Sequence, residues 1–333
     1  MRKLLLLLII ASSLWGGYWF VGKSAVETGL RSWIDQRRSD GWAADYTELK
    51  TRGFPNRFDT SITDLSLADP ATGLAWELPV FQILALSYKP NHIIAVFAQD
   101  QVLATPNQRI TISNETMRGS VVFEPGTDLT LQRSSFILED LKFSSSKGWS
   151  SSLGSGSFAT RQSVAIPLAH DIAFSAQGLS PSTTLRDRLD PTGALPESLE
   201  TLSLDLTAGF TAPWDRFAIE RARPQLTSLD VKNINARWGD LDLRMAGELQ
   251  VGTDGVPEGK ITIRAENWRD MIALAKNSGS LSDGLASGLE RALALVAGMS
   301  GDKDVLEADL TFSRGRMSLG ILPLGPAPKL ILR

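Results

Sequence analysis

The spacing of apolar and polar positions changes character along the chain. Leu4 to Val21 is an unbroken run, LLLLLIIASSLWGGYWFV, without a charge. At ~1.5 Å per residue it measures about 27 Å, close to the thickness of a bilayer's hydrocarbon core. Ser24-Ala-Val-Glu27 then has the spacing of a capping box, and Val26, Leu30, Trp33 and Ile34 share one helical face before Gly41. These patterns predict a membrane anchor over 1–23 and a stalk helix over 24–41.

From Asp45 the period shifts from helical to alternating. Leu202, Leu204, Leu206 and Ala208 alternate with Thr201, Ser203, Asp205 and Thr207. Leu306, Ala308, Leu310 and Phe312 alternate with Glu307, Asp309, Thr311 and Ser313, and Met317, Leu319 and Ile321 follow Arg314-Gly315. Shorter candidates lie at 80–87, 92–98, 109–113, 120–124, 128–136 and 169–177, separated by breakers such as Asp69-Pro70, Lys89-Pro90 and Glu124-Pro125-Gly126. Many short strands joined by turns predict antiparallel sheet and not βαβ units.

Two later segments keep a helical period: 267–276, with Trp268, Met271, Ile272 and Ala275, and 282–299, with Leu285, Leu289, Leu293 and Val296. The expected fold is mainly β, with curled antiparallel sheets forming a groove or sandwich. An N-terminal transmembrane helix and two or three amphipathic helices complete it. The proline-bearing stretch 181–198 reads as a flexible connection between a β-rich first half, 42–180, and a β-rich second half, 199–333. The Gly/Ser-rich stretch at 147–157 reads as a linker or a weak edge strand.

The clearest alternation surrounds the loop Gly252-Thr-Asp-Gly-Val-Pro-Glu-Gly259. Leu241, Leu243, Met245, Leu249 and Val251 oppose Asp240, Asp242, Arg244, Glu248 and Gln250, and Ile261, Ile263 and Ala265 oppose Lys260, Thr262, Arg264 and Glu266. A calcium loop needs carboxylates at short intervals, but only Asp254 and Glu258 lie here, with Pro257 between them. A phosphate loop feeds a helix, and this one feeds a strand. The expectation is a hairpin turn without a metal.

Composition narrows the chemistry further. The 34 Lys and Arg balance 37 Asp and Glu among 333 residues with no basic block, so nucleic acid is not an expected partner. There is no cysteine, which removes disulfides, thiolate metal sites and thiol nucleophiles. His92 and His170 are the two histidines. No G-x-S-x-G elbow accompanies them, and neighbours such as His170 and Asp171 on a strand point to opposite faces. No catalytic residue, cofactor or metal site is expected, and the chain is read as a non-enzyme.

Arg2 and Lys3 precede the apolar run, and Trp15, Tyr18, Trp19 and Phe20 crowd its far end. Positive charge before a span and aromatic rings after it point to a cytoplasmic N-terminus, with everything after Lys23 outside. A cleaved signal peptide is the rival, with Ala11 and Ser13 as a small-x-small site. An uncleaved anchor is preferred, because cleavage would leave the aromatic cluster at an exposed terminus.

Several fragments resemble an uncharacterised family, a domain of unknown function, of membrane-anchored envelope proteins from Gram-negative bacteria. They are the anchor with its Trp-containing stalk, Gly53-Phe54-Pro55-Asn56-Arg57, Trp238-Gly239 with Gly247 and Gly255-Val-Pro-Glu-Gly259, Asn267-Trp268, and the ending from Leu319 to Pro328. The resemblance implies a single-pass inner-membrane protein with its bulk in the periplasm, and carries no activity with it. In architecture the chain is also similar to AsmA-like envelope proteins, with an anchor followed by long curled sheet, which are associated with lipid movement or outer-membrane upkeep.

The apolar strand faces need a cover. One expectation is a groove that binds or shields lipid acyl chains, with Leu204, Leu243, Ile263 and Leu310 as lipid-facing positions. The other is a scaffold with a closed core whose surface binds an envelope protein partner.

Overall fold

The apolar run and the amphipathic stretch after it form one helix, α1 (Arg2–Ser39), in the computed structural model, which describes residues 1–299, 303–320 and 322–332. Ile321 and the side chains of Leu285 and Val296 lie outside what is described. Ser24 sits inside α1 and caps nothing, so the expected capping box is not used. The apolar residues before it and the amphipathic face after it both favour continued helix, which overrides a local cap signal.

The chain divides into two units, Met1–Phe123 with Phe136–Gly148, and Glu124–Ser135 with Trp149–Arg333. After α1 the first unit is built from β1 (Ala43–Asp45), β2 (Glu48–Arg52), β3 (Arg57–Asp69), β4 (Leu74–Leu86), β5 (Lys89–Phe97), β6 (Asp100–Thr105), β7 (Gln108–Ser113), β8 (Thr116–Phe123) and the later part of β9 (Leu131–Ser145). All pairings are antiparallel. β1 and β2 both lie against β3, β3 against β4, and β4 divides its length between β5 and β6. Alternate residues of β3, Phe58, Thr60 and Ile62, are buried. Ile34 of α1, together with Leu30, closes over Leu49, Ile62, Leu65 and Leu78.

Higher on α1 the aromatic cluster is fastened to the same sheet. Trp15 Nε1 donates to Pro55 O at 3.1 Å, Tyr18 Oη to Ser87 O at 2.6 Å and Trp19 Nε1 to Arg57 O at 2.8 Å. Gly22 permits this approach: a Cβ there would lie 2.6 Å from the Phe58 ring. Below it, Glu27 accepts the Thr51 backbone N–H at 2.7 Å.

The second unit is a meander in chain order. It comprises β10 (Ser150–Gln162), β11 (Ala169–Ser180), α2 (Thr183–Leu189), β12 (Leu199–Phe210), α3 (Phe217–Glu220), β13 (Leu226–Trp238), β14 (Leu241–Val251), β15 (Pro257–Glu266), α4 (Trp268–Asn277), α5 (Asp283–Met299), β16 (Val305–Ser313), β17 (Arg316–Leu319) and β18 (Leu322–Pro326). From β10 to β18 each strand pairs antiparallel with the next. The fold is mainly β with an N-terminal apolar helix, as the alternation indicates. The Gly/Ser-rich stretch at 147–157 enters strand β10, and the segment 181–198 contains α2, whose Ser182 side chain accepts the Leu185 N–H.

Candidate functional site

Cross-strand register turns the alternation of the second unit into rows. Phe158, Phe174, Leu204, Ile234, Met245, Ile263 and Ala308 stand opposite one another from β10 to β16. One step along the strands, Leu202, Ala236, Leu243, Ala265 and Leu306 form a second row. On the other side lie Leu206, Val231, Gly247, Ile261 and Leu310. The irregularity between Val231 and Ile234 in β13 changes which parity faces inward without breaking the face. The structure therefore brings Leu204, Leu243, Ile263 and Leu310 onto one apolar face.

Their surroundings differ. Leu243, Ile263 and Leu310 pack against a core of Ala265, Trp268, Leu293, Ala297, Leu306, Ala308 and Leu319, which α4 and α5 close. Leu204 lies toward β10 and β11, beside half-buried Phe174 and Ile172 and close to Phe158, which is 40% exposed. The face is thus a helix-covered part at β14–β16 that grades into a half-open strip at β10–β12. The helix cover begins at Asn267 and Trp268: Asn267 Nδ2 donates to Asp240 O at 2.6 Å and Trp268 Nε1 to Lys303 O at 3.1 Å.

The opposite face is polar and self-paired. Lys260 meets Asp309 at 3.1 Å, and the Thr262 hydroxyl donates to the same carboxylate at 2.8 Å. These two bonds, the hydroxyl first, hold Asp309 below the usual carboxylate range. Arg244 forks onto Asp242 and lowers it in the same way. Such carboxylates are fixed as anions on a solvated sheet face.

The loop between β14 and β15 is a short hairpin turn over 252–256, since Pro257 already pairs with Val251. Gly255 holds φ +79, and its carbonyl accepts the Leu330 N–H at 2.8 Å. Asp254 spends a carboxylate oxygen on the Val256 N–H at 3.2 Å. Farther along, Gln225 exchanges two hydrogen bonds of 3.0 Å with Leu332, so the C-terminal segment is strapped onto this end of the sheet. Among the described residues, no group of three or more His, Asp or Glu is placed to hold a metal ion.

The histidines have structural partners. His170 is buried against Phe210 and shares a 3.1 Å hydrogen bond with the Thr160 hydroxyl. Burial pushes its pKa down, against the opposing pull of Asp171. Asp171 faces Arg161 and Thr207 instead. Burial would raise that carboxyl, but the hydrogen bonds from Thr207 and Arg161 and the charges of Lys232 and Arg161 together lower it. In the first unit His92 pairs with the Ser120 hydroxyl at 2.9 Å.

Sequence comparison matches residues 19–328 to DUF2125, described as an uncharacterised protein conserved in bacteria. The chain belongs to this family. No curated protein and no solved structure matches it. The fragments that carried the resemblance are pins in this DUF2125 fold. Trp238 Nε1 donates to Pro196 O at 2.8 Å, and the Gly239 N–H to Glu200. Asn267 and Trp268 anchor α4, Trp19 and Phe54 pack edge to face at 5.4 Å, and the hairpin glycine meets the C-terminal strap.

Proposed function

We propose that this DUF2125 protein is a non-catalytic, membrane-anchored envelope protein whose second unit binds or shields acyl chains along its apolar sheet face. The observation behind this reading is the row through Phe158, Phe174, Leu204 and Ile234, which continues the packed core of the unit but is only half covered. An acyl chain laid along such a strip gains about 0.8 kcal/mol per buried CH₂. The mixed character of the face fits a ligand that slides beside the helix-covered part.

The anchor is α1, long and apolar enough to cross a membrane. The positive charge of Arg2 and Lys3 favours a cytoplasmic N-terminus, which would leave both units in the periplasm. A second reading is a scaffold with a closed core that binds another envelope protein. It is favoured by Trp268 of α4 and Ala297 of α5, both buried against Ala265, Leu306 and Ala308 of the sheet.

The test is lipid content. Full-length protein, washed in detergent and extracted with organic solvent, should yield lipid in excess of an unrelated single-pass protein handled identically. Leu204→Gln with Phe174→Gln should remove that excess while leaving the far-UV spectrum unchanged. Equal lipid in all three samples would refute the acyl-chain reading and leave the scaffold.

A further inference from the structure

We propose that the tip of the first unit formed by Gly53–Arg57 and Ser87-Tyr88 is a membrane-contact element that seats the sheet end-on in the headgroup layer of a phospholipid bilayer. The proposal uses only α1 and the first unit, and is independent of acyl-chain binding by the second.

Its basis is the level at which α1 is fastened. Pro55 O accepts from Trp15, Arg57 O from Trp19 and Ser87 O from Tyr18, so these loops are level with residues 15–19 of the apolar helix. The two loops are also fastened to each other: the Ser87 N–H donates to Asn56 O and its hydroxyl to Pro55 O. If Leu4–Val21 fills the hydrocarbon core, Trp15 lies six residues inside its boundary, about 9 Å at ~1.5 Å per residue. The headgroup region adds only roughly 5–8 Å on each side. If instead the boundary falls at Trp15, the free apolar helix from Leu4 to Leu14 spans about 16 Å, half the core. Neither placement keeps the tip in water.

The surface of the tip suits that depth. Phe54 and Tyr88 are each 57% exposed and Phe20 is 62% exposed. Phe54 stacks on Phe20 at 6.0 Å, which joins the loop's apolar surface to that of the helix. Aromatic rings favour the interface, where one edge is apolar and the other wet. Arg52 and Lys89 are exposed on the flanking strand ends, within reach of lipid phosphates.

The chain has no cysteine, so single substitutions give unique labels. Nitroxides would be placed on Leu8→Cys, Phe54→Cys, Tyr88→Cys and Asn107→Cys. Each full-length variant would be reconstituted in phosphatidylcholine–phosphatidylglycerol vesicles, and collision with oxygen compared with collision with an aqueous nickel chelate. Asn107, exposed at the opposite end of β4, lies about 40 Å from the tip at ~3.3 Å per strand residue. Oxygen should dominate at Leu8 and nickel at Asn107, with Phe54 and Tyr88 between them and clearly less open to nickel than Asn107. Tyr88→Cys keeps the test valid if loss of the Phe54 ring perturbs the cluster. Tyr88 as open to nickel as Asn107, with Leu8 shielded, would overturn the tip alone. Nickel access at Leu8 as well would overturn the anchor together with the tip.

Discussion

Truncating Trp19 to Ala measures how firmly the anchor helix is built into the first unit. The side chain is 4% exposed, lies over Phe58 at 6.0 Å and meets Phe54 edge-on at 5.4 Å. It also satisfies the Arg57 carbonyl at 2.8 Å. Removing a buried tryptophan costs about 3–5 kcal/mol, and an orphaned carbonyl lies within that range or adds about 1 kcal/mol to it. A loss near 4 kcal/mol is roughly a thousandfold in an opening equilibrium. Hydrogen exchange of full-length protein in detergent reads this locally: protection across β3 and β4 should fall by about that factor. Trp19→Phe keeps the ring contacts and gives up the hydrogen bond, so its loss should be only about 1–2 kcal/mol. Trp15, 38% exposed with one hydrogen bond, should lose less than about 1.5 kcal/mol as Ala. Equal protection in Trp19→Ala and Trp15→Ala would refute the docking of α1 on the sheet.

Other expectations follow from the geometry. Asp254→Ala with Glu258→Ala removes one hydrogen bond to the Val256 N–H and should lower stability by less than about 1 kcal/mol, equally in calcium and in chelator; a chelator-dependent difference would contradict a simple turn. Burial lowers the His170 pKa from 6.5, so the unfolded chain binds the extra proton first. Its contribution is full above pH 6.5 and is lost as pH falls below 6.5 toward the lowered folded value, so Tm should decline on acidification below about pH 6.5. His170→Gln should flatten that decline, and an unchanged slope would refute it. A C-terminal alkaline phosphatase fusion should be active and a fluorescent-protein fusion dark; the reverse pattern overturns the orientation.

What the sequence reveals here depends on the range of each interaction. Alternation from Leu241 to Glu266 places β14, β15 and their inward residues, because strand geometry repeats every two positions and one face is buried. The apolar segments at 267–276 and 282–299 appear as α4 and α5 for the same reason, with a different period. The rows are less legible. Leu204 and Ile263 align only through β13 and β14, whose register an irregularity shifts. β10 reads only as a linker or a weak edge strand over 147–157, because Gly154 and its serines carry little hydrophobic signal. The aromatic residues from Trp15 to Phe20 read as an interfacial belt, and their carbonyl partners at Pro55, Arg57 and Ser87 are too distant in sequence for any local pattern to supply. Nor does alternation distinguish a row under α4 and α5 from a half-open one, since both demand the same residues.

Photo-crosslinking in living cells tests the acyl-chain reading most directly. A photoreactive side chain at Leu204 or Phe174, on the half-open strip, should yield adducts with the mass of phospholipid or lipid A species. The same group at Ser203, on the polar face beside Leu204, should not. Weaker labelling is expected at Leu243, Ile263 and Leu310, beneath the helices. Adducts to protein alone at Leu204 and Phe174, or lipid labelling equal to that at Ser203, would contradict acyl-chain binding along this face.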